Sequence, residues 1–311
     1  MINLFNIANH KIDTNSFSNL LHDRVVEDFE KTIANYVGAK YVCSINSATN
    51  AIFLSMLNKN VTVDLPSMIP PVVANAIITS GNKINFVDNV EWVGDSYVLY
   101  QFDDYKIVDS AQKLEENQFE KECNSEDLMF FSFYPTKPLG GSDGGVIVTD
   151  DYEKYRWFKS AVLNGMSFAN NNWERKISFP GYKMYMNSIQ CYVAHKNLLR
   201  LEEKQKRFDE IRNFYNSEFD MNRNSKHLYR VNVKDNESFI EHAKTKGIQC
   251  GIHYRALHLN EIYKGENMPL PKSEYEHRTT ISLPFHENLT DEEVEYIVKE
   301  IKPHVIAPHP R

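Results

Sequence analysis

Residues 130–149 read FFSFYPTKPLGGSDGGVIVT and place one lysine, Lys137, on a turn between two apolar runs. The apolar runs are typical of buried strands. The proline and glycines between them indicate a stiff, tight connection. A lysine on such a turn is poorly solvated, so its amine can lose its proton and attack a carbonyl group. The alternative is a surface hairpin with a solvated lysine, and this stretch alone does not decide between the two.

A second feature is an expected strand at 41–45 that leads through the small polar residues 46–50 into a helix at 51–57. Free backbone N–H groups at a helix start, together with the helix dipole, make a site for an anion. The alternative is ordinary N-capping by Ser47 or Thr49.

A third feature is Asp109, which directly follows an expected strand at 106–108. Ligands of open α/β sheets bind at the carboxyl ends of the strands, so this carboxylate is a candidate site residue. An aspartate at this place also commonly caps the following helix, and that alternative stays open at this point.

Strands and helices alternate along the first half of the chain, which predicts an α/β fold with a large domain built on a mostly parallel sheet. After residue 220 the pattern indicates a smaller C-terminal α+β domain, and we place the division between residues 1–195 and 196–311. Further expected elements are a helix or two at 17–37, a long loop at 164–179, an interrupted helix from 185 or 186 to 219, a turn and strand at 247–254, and a strand at 280–283.

Composition excludes several classes of function. The chain has 311 residues and a net charge of −7, which argues against a nucleic-acid surface. Four widely spaced cysteines are typical of reduced thiols in a cytosolic protein. The sequence shows neither a signal peptide nor a membrane-spanning apolar run, so we expect a soluble, cytoplasmic protein without a membrane partner.

The histidines give no metal-site pattern. His253 and His258 lie five residues apart, with no carboxylate or cysteine at a spacing that completes a ligand set. We therefore expect no metal, and we interpret isolated histidines such as His195 and His227 as ordinary polar residues.

One cofactor would use all three features together. Pyridoxal phosphate has a phosphate to anchor, a ring nitrogen that an ionised aspartate keeps protonated, and an aldehyde that condenses with a lysine amine. The helix start, Asp109 and Lys137 could supply these three contacts.

Several segments resemble the DegT/DnrJ/EryC1/StrS family of pyridoxal-phosphate-dependent sugar aminotransferases, which have the type I fold of such enzymes. The match covers about residues 25–301, and the segments at 131–145 and in the C-terminal part are the most specific. The matching segments are SAT at 47–49, VDSAQ at 108–112, FSFYPTKPLG at 131–140, DGG at 143–145, GYK at 181–183, MNSIQ at 186–190, HY at 253–254, LH at 257–258, SLP at 282–284 and LTDEE at 289–293.

The resemblance implies a role for each matching cofactor residue. Lys137 would be the catalytic lysine that bonds the coenzyme and acts as general acid and base. Asp109 would pair with the pyridine nitrogen, and Gln112 would lie near the ring hydroxyl. The phosphate would be held by the Ala48 backbone and by the hydroxyls of Thr49 and Ser132.

The resemblance also implies residues at the substrate mouth and at a subunit boundary. His253, Tyr254 and His258 would lie near the substrate. The segment at 181–190 would cross to the partner subunit of a homodimer with shared active sites, where Lys183 stands in place of an asparagine that reaches the phosphate in the family. A lysine could serve the same anion as a point charge.

Two other departures from the family pattern concern the cofactor pocket. The aromatic residue that stacks on the pyridine ring has its counterpart at Pro70, so stacking must come from Pro70, from Met68 or from elsewhere. Only about twenty residues separate Asp88 from Asp109, where the family has a longer stretch. We interpret this as a loss of surface helices that could alter the dimer or the pocket.

By resemblance, the expected activity is transfer of an amino group from an amino acid donor, glutamate being expected, to a keto-sugar linked to a nucleotide. Arg175, Arg230 and Arg255 are unranked candidates for contacting a diphosphate. One alternative is a pyridoxal-phosphate-dependent sugar dehydratase, which Lys137 disfavours because such relatives carry histidine there. The other is a non-catalytic or regulatory protein on the same fold.

Overall fold

The computed structural model describes residues 1–7, 10–168, 175–263 and 269–308. Its first part alternates helices and strands. They are α1 (Arg24–Val37), β1 (Tyr41–Ile45), α2 (Ala48–Met56), β2 (Thr62–Pro66), α3 (Pro71–Thr79), β3 (Lys83–Val87), β4 (Tyr97–Gln101), β5 (Lys106–Asp109), α4 (Gln118–Glu122), β6 (Leu128–Ser132), β7 (Gly145–Thr149) and α5 (Tyr152–Ala161).

The second part is richer in helix. Its elements are β8 (Met166–Phe168), β9 (Arg175–Ile177), α6 (Ser188–Leu198), α7 (Leu201–Phe219), β10 (Tyr229–Val233), α8 (Asn236–Thr245), α9 (Pro271–Thr279), β11 (Thr280–Leu283), α10 (Asp291–Ile301) and β12 (Val305–Ile306). Within the described ranges, no helix is both long and apolar enough to cross a membrane.

The main sheet has five strands in the order β1-β7-β6-β5-β4. The expected α/β class is confirmed, but the sheet is mixed: β5 and β6 pair in parallel, whereas the other three ladders are antiparallel. The physical reason is connection length. The loop at 102–105 has only four residues, too few for a crossover helix, so β4 runs against β5. Residues 133–144 form turns without a helix, so β7 runs against β6. Strands β2 and β3 form a separate parallel pair.

Helices cover both faces of this sheet. Successive side chains of a strand point to opposite faces of the sheet. Phe130 and Ile147 therefore pack in one apolar core with α2 and α3. Phe131 and Val146 pack in the other core with α1 and α6. Strands buried on both faces read as continuous apolar runs, which explains the pattern around Lys137.

A third apolar core belongs to the C-terminal part. It includes side chains of α7, β10, β11 and α10. Helix α7 contributes Leu201 to the core under α6 and Phe208 onward to this third core. The division of the chain at residue 195 stays a prediction.

Three local expectations need correction. The helix expected from residue 17 begins at Arg24, because the Asp23 side chain caps it. Part of the expected loop at 164–179 is an antiparallel pair of β8 and β9, and 169–174 lie outside the described residues. No strand forms at 247–254: Gly251 makes an isolated bridge to Ser282, while β12 takes the free edge of β10.

The N-terminal segment packs on the C-terminal part. Ile2 forms a bridge with Ile248, and the Leu4 N–H donates to Oε1 of Gln249 at 3.1 Å. This contact spans 245 residues of sequence and places Phe5 beside the cavity that is described next.

Candidate active site

A cavity of about 470 Å³ lies where several strands end. Asp109 and Ser132 are the last residues of β5 and β6, and Ala48 begins the helix that follows β1. Strands β1, β5 and β6 point the same way, since β1 and β6 are both antiparallel to β7. Their carboxyl ends therefore share one edge of the sheet, and all three residues line the cavity.

Lys137 faces this cavity from the loop between β6 and β7. The loop is held by a turn in which the Lys137 N–H donates to the Tyr134 carbonyl at 2.9 Å. Burial lowers the pKa of the Lys137 amine to about 8, while the charge of Asp109 works in the opposite direction. Of the two sequence interpretations, the structure therefore favours a lysine in a pocket over a solvated hairpin.

Asp109 is 5% exposed and accepts one hydrogen bond on each oxygen. The Ala111 N–H donates to Oδ1 at 2.9 Å, and the Tyr97 hydroxyl donates to Oδ2 at 2.9 Å. Burial raises the pKa of Asp109, whereas both hydrogen bonds and the Lys137 charge lower it, and the net direction is upward. The carboxylate is thus fixed in orientation and faces the same cavity as the amine.

Gln112 also lines the cavity and is buried. Its Oε1 accepts the Gly94 N–H at 2.9 Å, which fixes the side-chain amide.

The other end of the cavity is the start of α2. The Ser47 side chain caps this helix by accepting the Asn50 N–H at 3.2 Å. The N–H groups of Ala48 and Thr49 have no carbonyl of their own helix to bind, because they belong to its first turn. A Cβ on Gly145 would lie 2.9 Å from the Ala48 nitrogen, so only glycine lets β7 approach this closely. With the nearby Ser132, the helix start can hold an anion.

His253 and Tyr254, which the resemblance places near the substrate, line the cavity. The His253 Nδ1 lies 2.9 Å from the Ser282 Oγ, and burial lowers the pKa of His253 to about 4. The Tyr254 ring stacks on Trp92 with centroids 6.2 Å apart.

The structure does not bring His258 to the cavity. Its Nδ1 lies 2.5 Å from the Ser67 Oγ and its Nε2 lies 3.6 Å from Glu274 Oε1. Ser67 follows β2 directly and is completely buried, and neither Ser67 nor His258 lines the cavity. His253 and His258 thus have different partners, and within the described ranges no three His, Cys, Asp or Glu side chains are grouped to hold a metal ion.

Lys183 is not among the residues that line this cavity. Its backbone forms a bridge with Leu163, and the next residues pass along the end of β1, where Tyr185 bridges Ile45. The chain's own cavity is therefore formed without Lys183.

Pro70 lines the cavity together with Val73, whereas Met68 does not. Met68 is fully buried among Val90 and Ala256. Of the two named replacements for a stacking aromatic residue, only Pro70 lines the cavity.

Two of the three candidate arginines have other partners. Arg230 is buried and donates to the carbonyls of His253 at 3.3 Å and Val90 at 3.1 Å. Arg255 forms an ion pair with Glu237 at 2.7 Å. Neither of these two lines the cavity.

Three aromatic residues of the site were missed from sequence, and each lines the cavity. They are Phe5, Trp92 and His227. His227, which the sequence suggested to be an ordinary polar residue, is 4% exposed, its ring stacks on Phe5 with centroids 6.0 Å apart, and burial lowers its pKa well below the usual value. These contacts join segments that are distant in sequence, so no local motif signals them.

Comparison with known proteins gives a consistent picture. The model of the DegT/DnrJ/EryC1/StrS aminotransferase family matches residues 10–93 and 105–302, which confirms the resemblance found from sequence. The chain is 25% identical to the spore coat polysaccharide biosynthesis protein SpsC of Bacillus subtilis, over 89% of this chain and 88% of that protein. It is 24% identical to a UDP-4-amino-4,6-dideoxy-N-acetyl-beta-L-altrosamine transaminase of Campylobacter jejuni, over 94% of both.

A solved structure shares the fold. The aminotransferase TlmJ of Streptoalloteichus hindustanus superposes with a TM-score of 0.82 at 21% identity and covers 97% of this chain and 98% of its own. This likeness confirms the expected fold type I architecture.

Proposed function

The chain belongs to the DegT/DnrJ/EryC1/StrS aminotransferase family, and we propose from this premise that it moves an amino group from an amino acid, with glutamate as the expected donor, to a nucleotide-linked keto-sugar. The observation that carries the proposal is the meeting of Lys137, Asp109 and the start of α2 in one cavity. The expectation of an aminotransferase is confirmed by the family. The donor, the acceptor and the cofactor of this chain are the proposed part.

The residues of the cavity fit pyridoxal phosphate. The N–H groups of Ala48 and Thr49 with the Ser132 hydroxyl suit a phosphate, a buried carboxylate at Asp109 suits a protonated ring nitrogen, and an amine of lowered pKa at Lys137 suits an aldehyde. When bound, this coenzyme supplies an electron sink for the carbon that loses its proton.

Lys137 holds and moves the proton at its Nζ. With a pKa of about 8, roughly a quarter of the free amine is neutral at pH 7.5, whereas an ordinary lysine is about 0.1% neutral. The lowered pKa therefore makes the amine a competent base near neutral pH without removing its ability to return the proton.

Apolar and aromatic side chains line the cavity that this partly buried amine faces. Phe5, Trp92 and Val73 line the cavity beside Lys137. Apolar surroundings strengthen the interaction between the amine and Asp109.

The acceptor is proposed from the relatives together with the site. The transaminase from Campylobacter jejuni is named for a UDP-linked amino sugar, and the chain matches nearly all of its length. The neutral imidazoles of His227 and His253 face the same cavity and can each give and accept a hydrogen bond, which suits the hydroxyl groups of a sugar.

We also propose a homodimer in which Lys183 serves the partner's cavity. Lys183 lies outside the cavity of its own chain, and a lysine can contact a phosphate as a point charge. A cytoplasmic location fits this chemistry and remains part of the proposal.

Amino transfer itself tests the function. The purified protein loaded with pyridoxal phosphate is incubated with glutamate and a panel of nucleotide-linked keto-sugars, and amino-sugar products are read by mass spectrometry. We expect an aminated product from the wild type and from Lys83→Ala, whose exposed lysine lies on β3, and none from Lys137→Ala. A protein that binds the coenzyme but aminates no sugar would instead support the non-catalytic alternative.

A further inference from the structure

Tyr97 lies directly opposite Asp109 in the antiparallel pair of β4 and β5. Side chains of directly paired residues project from the same face of a sheet and lie close together. The Tyr97 hydroxyl uses this closeness to donate to Oδ2 of Asp109 at 2.9 Å. The contact is thus built into the strand register.

The Tyr97 ring is itself held in place. It packs against Trp92 with ring centroids 4.8 Å apart, and Trp92 in turn stacks on Tyr254 at an interplanar angle of 8°. Burial and the Asp109 charge raise the pKa of Tyr97 well above its usual value, so the phenol keeps its proton. Tyr97 can therefore act only as a donor toward the carboxylate.

The same segment also fixes the second polar residue of the motif at 108–112. Gly94 donates its N–H to Oε1 of Gln112 at 2.9 Å. The φ angle of Gly94 is +92°, in the region that favours glycine. Residues 94–104, which contain both Gly94 and Tyr97, are the part that the family model leaves unmatched between its two matching ranges. These two contacts thus come from a segment that the family model does not match.

We propose that Tyr97 is a positioning residue, whose hydroxyl holds Asp109 ionised and aimed at the ring nitrogen of the coenzyme. The inference rests on the proposed function, because it needs the coenzyme's ring nitrogen beside Asp109. It goes beyond that function because it assigns to the shortened segment between Asp88 and Asp109 the orientation of the Asp109 carboxylate.

The electrostatics of the site agree with the geometry. The groups that face Asp109 are Tyr97 from β4, Lys137 from the loop after β6 and Tyr254 from the C-terminal part. Burial raises the pKa of Asp109, and hydrogen bonds to the charged form oppose that shift. Without the Tyr97 hydroxyl, one of two such bonds is lost and the carboxyl group protonates more readily.

The test compares two coenzymes on one pair of variants. Tyr97→Phe removes only the hydroxyl and keeps the ring against Trp92, while Tyr100→Phe, on the same strand, is the control. Affinity is measured by spectroscopic titration for pyridoxal phosphate and for its 1-deaza analogue, in which carbon replaces the ring nitrogen. Since a hydrogen bond to a charged group is lost, we expect Tyr97→Phe to bind pyridoxal phosphate about tenfold more weakly.

The 1-deaza analogue distinguishes the orientation of Asp109 toward the ring nitrogen from a change in the shape of the pocket. Its affinity should be the same for wild type, Tyr97→Phe and Tyr100→Phe, because it has no ring nitrogen to pair. Equal weakening for both coenzymes, or no weakening for either, would overturn the inference and leave the proposed function standing. A wild type that binds neither coenzyme would overturn the proposed function and the inference with it.

A second background keeps the result interpretable if Tyr97→Phe loses stability. In Asp109→Asn the charged acceptor is absent, so adding Tyr97→Phe should cause no further loss of pyridoxal phosphate affinity. A further tenfold loss in this background would show that the Tyr97 hydroxyl acts by a route other than the Asp109 charge and would contradict the positioning role.

Discussion

Lys137 and Asp109 illustrate what single residues reveal about the site. A lysine between two apolar runs and an aspartate at a strand end could both be found from sequence, because their chemistry is unusual for those places. The environment of these two residues could not be found from sequence. The cavity around the amine is lined by Phe5, Trp92 and His227, which come from distant parts of the chain.

Titration of the Lys137 amine gives the first prediction. In the coenzyme-free protein, acetylation of Lys137 by acetic anhydride, followed by peptide mass spectrometry over a pH series, should rise with a midpoint at about 8. The same lysine in urea should show a midpoint near about 10.4, the ordinary value. Between these two values the unfolded chain binds more protons than the folded one, so this group makes folding stability increase with pH. An unchanged midpoint in the folded protein would contradict a buried amine.

His227 gives the second prediction. Its neutral ring faces the cavity, and no hydrogen bond to either ring nitrogen is formed within the described ranges, so it is placed to bind the acceptor sugar. We expect His227→Phe to raise KM for the sugar about tenfold, the worth of one lost hydrogen bond, with little change in the rate at which glutamate bleaches the coenzyme absorbance. His195→Phe, on α6 and outside the cavity, is the control. Equal losses in both steps would place His227 in a structural role.

At the scale of elements, strands and helices with strong local patterns were predictable, and their pairing was not. The apolar runs of β6 and β7 identify both strands. The sequence of the four-residue connection after β4 does not by itself predict that β4 and β5 form an antiparallel pair. The expected strand at 247–254 is reduced to isolated bridges, from Ile248 to Ile2 and from Gly251 to Ser282, while the two-residue strand β12 pairs with β10. Tertiary packing, and not local sequence, determines which segment pairs with a sheet edge.

The start of α2 gives the third prediction. Ser47→Ala removes the N-cap and should lower the free energy of unfolding by about 1 kcal/mol. It should also weaken coenzyme binding, because in the proposed site the N–H groups of the first turn would contact the phosphate. Thr290→Ala removes the corresponding cap of α10, far along the chain, and should cost similar stability with no change in coenzyme affinity. Thermal unfolding and coenzyme titration measure the two effects, and equal affinities for both variants would argue against an anion site here.

At the scale of the whole molecule, the N-terminal segment crosses to the C-terminal part and brings Phe5 to the site. Sequence reasoning could not find this crossing, since nothing in residues 1–7 marks a partner 245 residues away. The division into two domains at residue 195 stays a prediction for the same reason: the core contacts of α7 reach both sides of it.

Subunit complementation gives the fourth prediction. If Lys183 serves the partner's cavity, Lys137→Ala and Lys183→Glu should each be inactive alone as homodimers. After unfolding and refolding together they should recover about a quarter of wild-type activity, because half of the dimers are mixed and each mixed dimer has one intact site. Lys176→Glu, on β9, should keep full activity and serves as the charge-reversal control. No recovery from an equal mixture would contradict the shared site.

The most direct measurement is the site of covalent attachment of the coenzyme. The protein is incubated with pyridoxal phosphate, reduced with borohydride, digested and mapped by mass spectrometry. The account predicts one modified lysine, Lys137, in the peptide that contains residues 130–149, and no such adduct in Lys137→Arg. Attachment at another lysine, or coenzyme binding that survives Lys137→Arg with its absorbance unchanged, would contradict the central claim.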